Sequence, residues 1–199
     1  MLRLLLLLLA AILFYIFYVI LKKAFEEVGF NGWEASLIVF GSIFLGAINI
    51  PLFSYNGWIV AINIGGALLP VAISLYLMIR NKVFVSVIFG IILVSYITYN
   101  LTGVSNEGIV CPFPFWLLPP IAASMYSVMV AIRNKRKAAS IAYSSGTMGA
   151  LIGADFLHLK ELLSMPPHGM AVIGGASILD MVFLTGIIAV MVDAFLYES

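Results

Sequence analysis

The chain has 199 residues, of which 63% are hydrophobic and 10% charged, with a mean hydropathy of +1.15. Soluble domains are about 25% charged, so ten basic and nine acidic side chains are too few to coat this one, and the composition predicts an integral membrane protein. A net charge of +1 offers no basic face to nucleic acid, and a single cysteine, Cys111, excludes an internal disulfide.

Apolar runs of about 20 residues read as membrane spans. About seven are expected, at 4–21, 35–53, 58–79, 83–101, 109–132, 139–159 and 170–196. The predicted fold is therefore all-α, a polytopic transmembrane helix bundle forming one domain over 1–199. The first run follows Arg3 and is read as a retained helix. It is long for a signal peptide, and Lys22 and Lys23 follow it in place of a small-residue cleavage site. In the inner loop 22–34, Lys22–Glu26 and Lys23–Glu27 have the i,i+4 spacing of a short helix.

Cytoplasmic loops retain positive charge. Lys22 and Lys23, then Arg80 and Lys82, then Arg133, Lys135, Arg136 and Lys137 fall in alternate loops. This places the N-terminus outside and the C-terminus in the cytoplasm of a multi-pass cell-membrane protein. Trp33 and Trp58 suit the interfacial belts.

Two stretches look alike. Gly46-Ala47-Ile48-Asn49 precedes Ala61-Ile62-Asn63-Ile64-Gly65-Gly66-Ala67; Gly153-Ala154-Asp155 precedes Ala171-Val172-Ile173-Gly174-Gly175-Ala176. Spans two and three would then repeat as spans six and seven, in parallel orientation, an arrangement known in transporters. Chance similarity between glycine-rich helices is the plain alternative. Gly149 and Gly153 form a G-x-x-x-G that lets helices approach closely, and tight packing between spans six and seven is expected.

Ionisable residues inside a membrane mark functional sites by default, because each carboxylate costs about 2.5–3.5 kcal/mol at the bilayer centre. Span six holds Asp155 and span seven Asp180. At about 1.5 Å per residue, Asp155 would lie about 24 Å above the inner face and Asp180 about 15 Å below the outer face, near the midplane. Asn49 and Asn63 are the matching polar residues of the first copy. With Gly174 and Gly175 they would line an ion or substrate site between the halves; the plain reading is hydrogen-bonded glue between helices. Asp193 is near the inner interface. His158, Glu161 and His168 sit near the outer mouth, more simply solvated than metal-binding. Span five opens with Cys111-Pro112-Phe113-Pro114-Phe115-Trp116-Leu117-Leu118-Pro119-Pro120. Its outer half is expected to be kinked, extended or re-entrant, as a substrate path or as a structured loop before a shorter helix.

Gly153-Ala154-Asp155, Gly174-Gly175-Ala176, Asp180 with Phe183-Leu184-Thr185-Gly186-Ile187, and Asn63-Ile64-Gly65-Gly66-Ala67-Leu68-Leu69-Pro70 together resemble an uncharacterised, largely archaeal family of prokaryotic membrane proteins, domain of unknown function 1614. The resemblance covers most of the chain after the first span and implies no activity. A fainter similarity is to the diaspartyl intramembrane proteases of the presenilin and signal-peptide-peptidase type. It implies that Asp155 and Asp180 are catalytic, one activating water and the other protonating the leaving group. The chain departs from that pattern: Gly-x-Gly-Asp and Pro-Ala-Leu are absent, Asp155 follows alanine, and two of the usual nine spans are missing.

Three functions are carried forward. The first is an intramembrane aspartyl hydrolase acting on a membrane-embedded peptide. The second is a proton- or cation-coupled carrier or channel for a small ion. The third is a non-catalytic scaffold partnered by the lipid bilayer. No cofactor or metal is expected, since no nucleotide loop, zinc motif or nucleophile triad is visible.

Overall fold

A computed structural model describes residues 2–105, 108–132, 134–166 and 169–198; Arg133 and His168 lie outside the described residues. The fold is mostly helical, with small strands that the all-α expectation did not contain. The unbroken leucine run makes α1, Leu2–Glu27, whose outer part is bare: Leu4 to Leu9 are all more than half exposed. Its C-terminal turns are buried. Tyr18 meets Ser36 on α2 at 2.8 Å, and the Phe25 ring packs 5.7 Å from Tyr143 and 6.2 Å from Phe183.

Helix α2, Gly32–Leu45, starts with a capping box in which Asn31 Oδ1 accepts from Trp33 and Glu34 while Glu34 Oε2 accepts from Asn31 N–H. It stops at Leu45, short of the span expected to 53. The reason is an Asn56-Gly57 turn with both residues at positive φ, the preferred two-residue hairpin connection. It joins β1, Asn49–Tyr55, to β2, Trp58–Asn63. The chain then makes a short π-helical turn, Ile64–Leu68, and enters α3, Leu69–Arg80, with Pro70 in its first turn.

Helix α4, Phe84–Leu101, leads to a small hairpin of β3, Gly103–Ser105, and β4, Gly108–Val110. The proline-rich segment is a structured loop and a 3₁₀ turn, Phe115–Leu117, before the short α5, Leu118–Val130. Proline lacks the N–H that a helix interior requires but fits a first turn, so Pro119 and Pro120 set where α5 begins.

Helix α6, Lys135–Ala150, is the hub of the bundle. It is built of alanine, serine and glycine and is buried almost throughout from Ala138 to Ala150. It continues through a π-helical stretch, Leu151–Phe156, into α7, Leu157–Ser164. A Cβ on Gly149 would lie 2.6 Å from Val94 Cβ, and one on Gly153 2.5 Å from the Ser95 carbonyl oxygen. The G-x-x-x-G therefore faces α4, while α6 also packs tightly on the last helix, as expected. Contact with the last helix comes through Gly146, where an added Cβ would meet the Thr185 carbonyl at 3.1 Å.

The stretch expected as the upper part of span seven is β5, Met170–Ile173. A 3₁₀ turn follows, Ser177–Leu179, and then α8, Met181–Glu198. β5 runs parallel to β2, giving a sheet of order β1-β2-β5. Two helices, Arg3–Glu27 and Phe84–Leu101, are long and apolar enough to cross a membrane by length and composition. Gly32–Leu45, Ile64–Arg80, Phe115–Val130 and Met181–Tyr197 are apolar but shorter, because strands and proline loops take up residues assigned to spans.

Basic residues gather at one end of the bundle. Arg80 Nη1 donates to the Gly29 carbonyl at 3.2 Å, and Lys135 pairs with Glu27 at 3.3 Å. The three-stranded sheet and both glycine pairs lie toward the other end.

Candidate functional site

Asp155 sits in the π-helical stretch that interrupts α6 and α7. Single π turns inside helices recur at functional sites because they re-aim a side chain. Asp180 is the residue before α8, in extended conformation, where its Oδ1 accepts the Val182 N–H at 2.9 Å. It is therefore a helix N-cap and not a mid-helix residue. Lys135 to Asp155 spans about 30 Å of helix and α8 about 27 Å, so both carboxylates reach about the same height above the basic end. The depth difference expected from the sequence closes because α8 starts eleven residues after the apolar run does.

The two carboxylates line the same cavity, of about 380 Å³, together with Thr102, Cys111, Trp116 and Thr185. They also share an adjoining cavity of about 490 Å³ with Trp58, Ile109, Met170 and Val172. Backbone groups hold each in place. Gly174 N–H donates to Asp155 Oδ2 at 3.1 Å, and Ala176 N–H donates to Asp180 Oδ2 at 3.2 Å.

The glycine pairs have a distinct task. A Cβ on Gly66 would lie 2.1 Å from the Gly174 carbonyl oxygen, and one on Gly174, at φ +69°, 2.7 Å from Ala67 Cβ. Residues 65–67 and 174–176 thus cross in direct backbone contact. Gly174 serves both this crossing and Asp155, and Gly175 lines the larger cavity.

Asn49 and Asn63 are brought together but away from the acids. They are cross-strand partners at the open end of the β1–β2 hairpin, where Asn63 Nδ2 donates to Asn49 Oδ1 and to the Gly46 carbonyl, both at 2.8 Å. Asn63 Oδ1 also accepts the Gly66 N–H at 2.7 Å. Neither asparagine lines the two cavities of the aspartates. His158 is buried, stacked on Tyr99 at 4.7 Å, with Nδ1 3.4 Å from Glu161 Oε2 and Nε2 3.3 Å from the Tyr99 carbonyl. Among the described residues no group of three or more His, Cys, Asp or Glu could hold a metal. Asp193 is fully buried and accepts from Ser127 Oγ at 2.5 Å, and its second oxygen has no partner among the described residues.

The proline segment, expected as a substrate path or a structured loop, carries Cys111 and Trp116 to the aspartates, whereas strand β5 was not expected at all. The signal for the first hairpin was present in Tyr55-Asn56-Gly57-Trp58. β5 left little trace, being four apolar residues inside a longer apolar run.

The model of one family, DUF1614, described as a protein of unknown function, matches residues 34–192. The chain belongs to the DUF1614 family. The matched region takes in both aspartates, both glycine pairs and every strand. No curated protein and no solved structure matches the chain.

Proposed function

We propose that this DUF1614 protein is a multi-pass membrane hydrolase of the aspartyl type, with Asp155 and Asp180 as its catalytic pair. The observation that carries the reading is that two carboxylates, one in the π-helical stretch after α6 and one at the start of α8, share one cavity, each fixed by backbone N–H groups. The membrane setting draws on the composition, the two span-length helices and the bare apolar surface of α1. The basic end would be cytoplasmic, with the N-terminus outside and the C-terminus inside. The strands and the aspartates then belong to the outer half of the bilayer.

In such a pair the two carboxyl groups share one proton. The ionised one takes a proton from water as the water oxygen bonds to the substrate's amide carbon. The protonated one gives its proton to the amide nitrogen, the C–N bond breaks, and a carboxylic acid and an amine result. The π turn at Asp155 and the N-cap at Asp180 aim both groups without long flexible side chains. A cavity distinguishes this arrangement from a scaffold, in which capped aspartates would be packed over. The test is cleavage of an apolar peptide in proteoliposomes holding the full chain. Unchanged cleavage by Asp180→Asn would sink the reading.

One observation favours a second reading, a proton- or cation-coupled carrier. Asp193, at the opposite end of α8, is a further buried acid with an oxygen that has no partner among the described residues. Ion uptake into the same proteoliposomes, lost in Asp193→Asn but kept in Asp180→Asn, would select it.

A further inference from the structure

We infer that the larger cavity is a strand-addition slot, and that its occupant is an extended, uncharged polypeptide segment paired to the open edge of β5. The inference rests on the hydrolase reading for what happens to the segment, but not for how it is held.

Among the described residues β5 has β2 on one side and no strand on the other. The cavity of about 490 Å³ is lined by Met170, Ala171 and Val172, three consecutive residues. Side chains alternate across a strand, so a cavity touched by three in a row runs along the backbone edge and not along one face. Gly108 and Ile109 of β4, also consecutive, line it too. The slot thus lies between two strand edges.

The register settles which backbone groups face it. Ile59 N–H donates to the Gly169 carbonyl at 3.2 Å, so residue 169 points its backbone toward β2. N–H and C=O directions alternate along a strand. Ala171 and Ile173 therefore also pair with β2, while Met170 and Val172 present N–H and C=O outward. The next N–H of that outward set belongs to Gly174, and it is the one bound to Asp155 Oδ2. Asp155 occupies the position on this edge that a carbonyl of an added strand would take. A segment hydrogen-bonded to Met170 and Val172 runs straight into the carboxylate.

An unpaired strand edge beside a cavity selects its ligand by main-chain hydrogen bonds. A helical segment has those groups satisfied internally and gains nothing from the edge. Apart from Asp155 and Asp180 at its end, the slot is lined by the uncharged side chains of Trp58, Ile109, Leu162, Met170 and Val172. Four strand residues at about 3.3 Å each give a slot about 13 Å long.

The experiment uses the full chain with Asp180→Asn in lipid nanodiscs. The probe is a synthetic 20-residue leucine–alanine peptide with ¹³C at three adjacent central carbonyls, read by isotope-edited infrared spectroscopy. The expected result is a shift of the labelled band from helical to strand frequency on binding. Val172→Pro removes an outward N–H but no bond to β2, and it should abolish the shift. Met170→Pro, at the strand's first residue where proline is tolerated, should do the same if Val172→Pro fails to fold. A labelled band that stays helical, or a peptide that does not bind, overturns the slot. So does a strand band that survives in the folded proline variants. A strand band with no cleavage of the same peptide by the unmodified chain would leave the slot standing and remove the hydrolase.

Discussion

Gly66 and Gly174 lie back to back, so close that a methyl group on Gly66 would fall 2.1 Å from the Gly174 carbonyl oxygen. This crossing joins the turn after β2 to the turn after β5, and the second turn delivers the N–H that holds Asp155. Because the obstructing atom is backbone, neither side can yield by changing rotamer. Gly66→Ala should destabilise the protein by about 1–3 kcal/mol, read as a lower Tm in detergent. An unchanged Tm would mean that the turns are not in contact.

Asn63 should matter for stability and not for chemistry. Its amide caps the π turn and ties β2 to Gly46 and Asn49. Asn63→Ala should cost about 1–3 kcal/mol while leaving the activity of the folded fraction unchanged. Asn49, which is exposed, should tolerate alanine better. Equal loss of activity per folded molecule in both variants would instead make the asparagines part of the site.

Ser127 donates to the fully buried Asp193. Ser127→Ala leaves that carboxyl group without a hydrogen bond among the described residues. A loss of about 1.5–3 kcal/mol is expected. Among the described residues Ser124 has no partner for its hydroxyl, so Ser124→Ala should cost less. Thermal unfolding of the two variants side by side checks the order.

Cys111 lines the cavity that holds both aspartates. A maleimide adduct there fills space that substrate or water would need. Labelling should stop hydrolysis in the unmodified chain and have no effect in Cys111→Ser. Activity that survives stoichiometric labelling would separate this cavity from the chemistry.

The mostly helical character and the close approaches at the glycine pairs were legible in the sequence. So was the broken start of α5, because proline lacks the N–H that a helix interior requires, although a kink, a re-entrant path and a structured loop all remained open there. The strands were not. In β2 the residues on both faces are apolar, so the alternation that marks a half-buried strand is missing, and Trp58-Ile59-Val60-Ala61-Ile62 reads as the start of a span. That error moved the beginning of span seven as well, and with it the depth assigned to Asp180. The partner of the G-x-x-x-G was beyond the sequence, because small residues show that a close neighbour exists but not which helix it is.

The measurement that bears most directly on the central claim is a double-mutant comparison of hydrolysis. The unmodified chain, Asp155→Asn, Asp180→Asn and the double variant would be assayed on one apolar peptide in proteoliposomes, with ¹⁸O from labelled water followed into the new carboxyl group. If the two carboxylates act as one unit, each single variant should lose about 10²- to 10⁴-fold, and the double variant little more. Losses that multiply, or a single variant that cleaves like the unmodified chain, would contradict a shared catalytic pair.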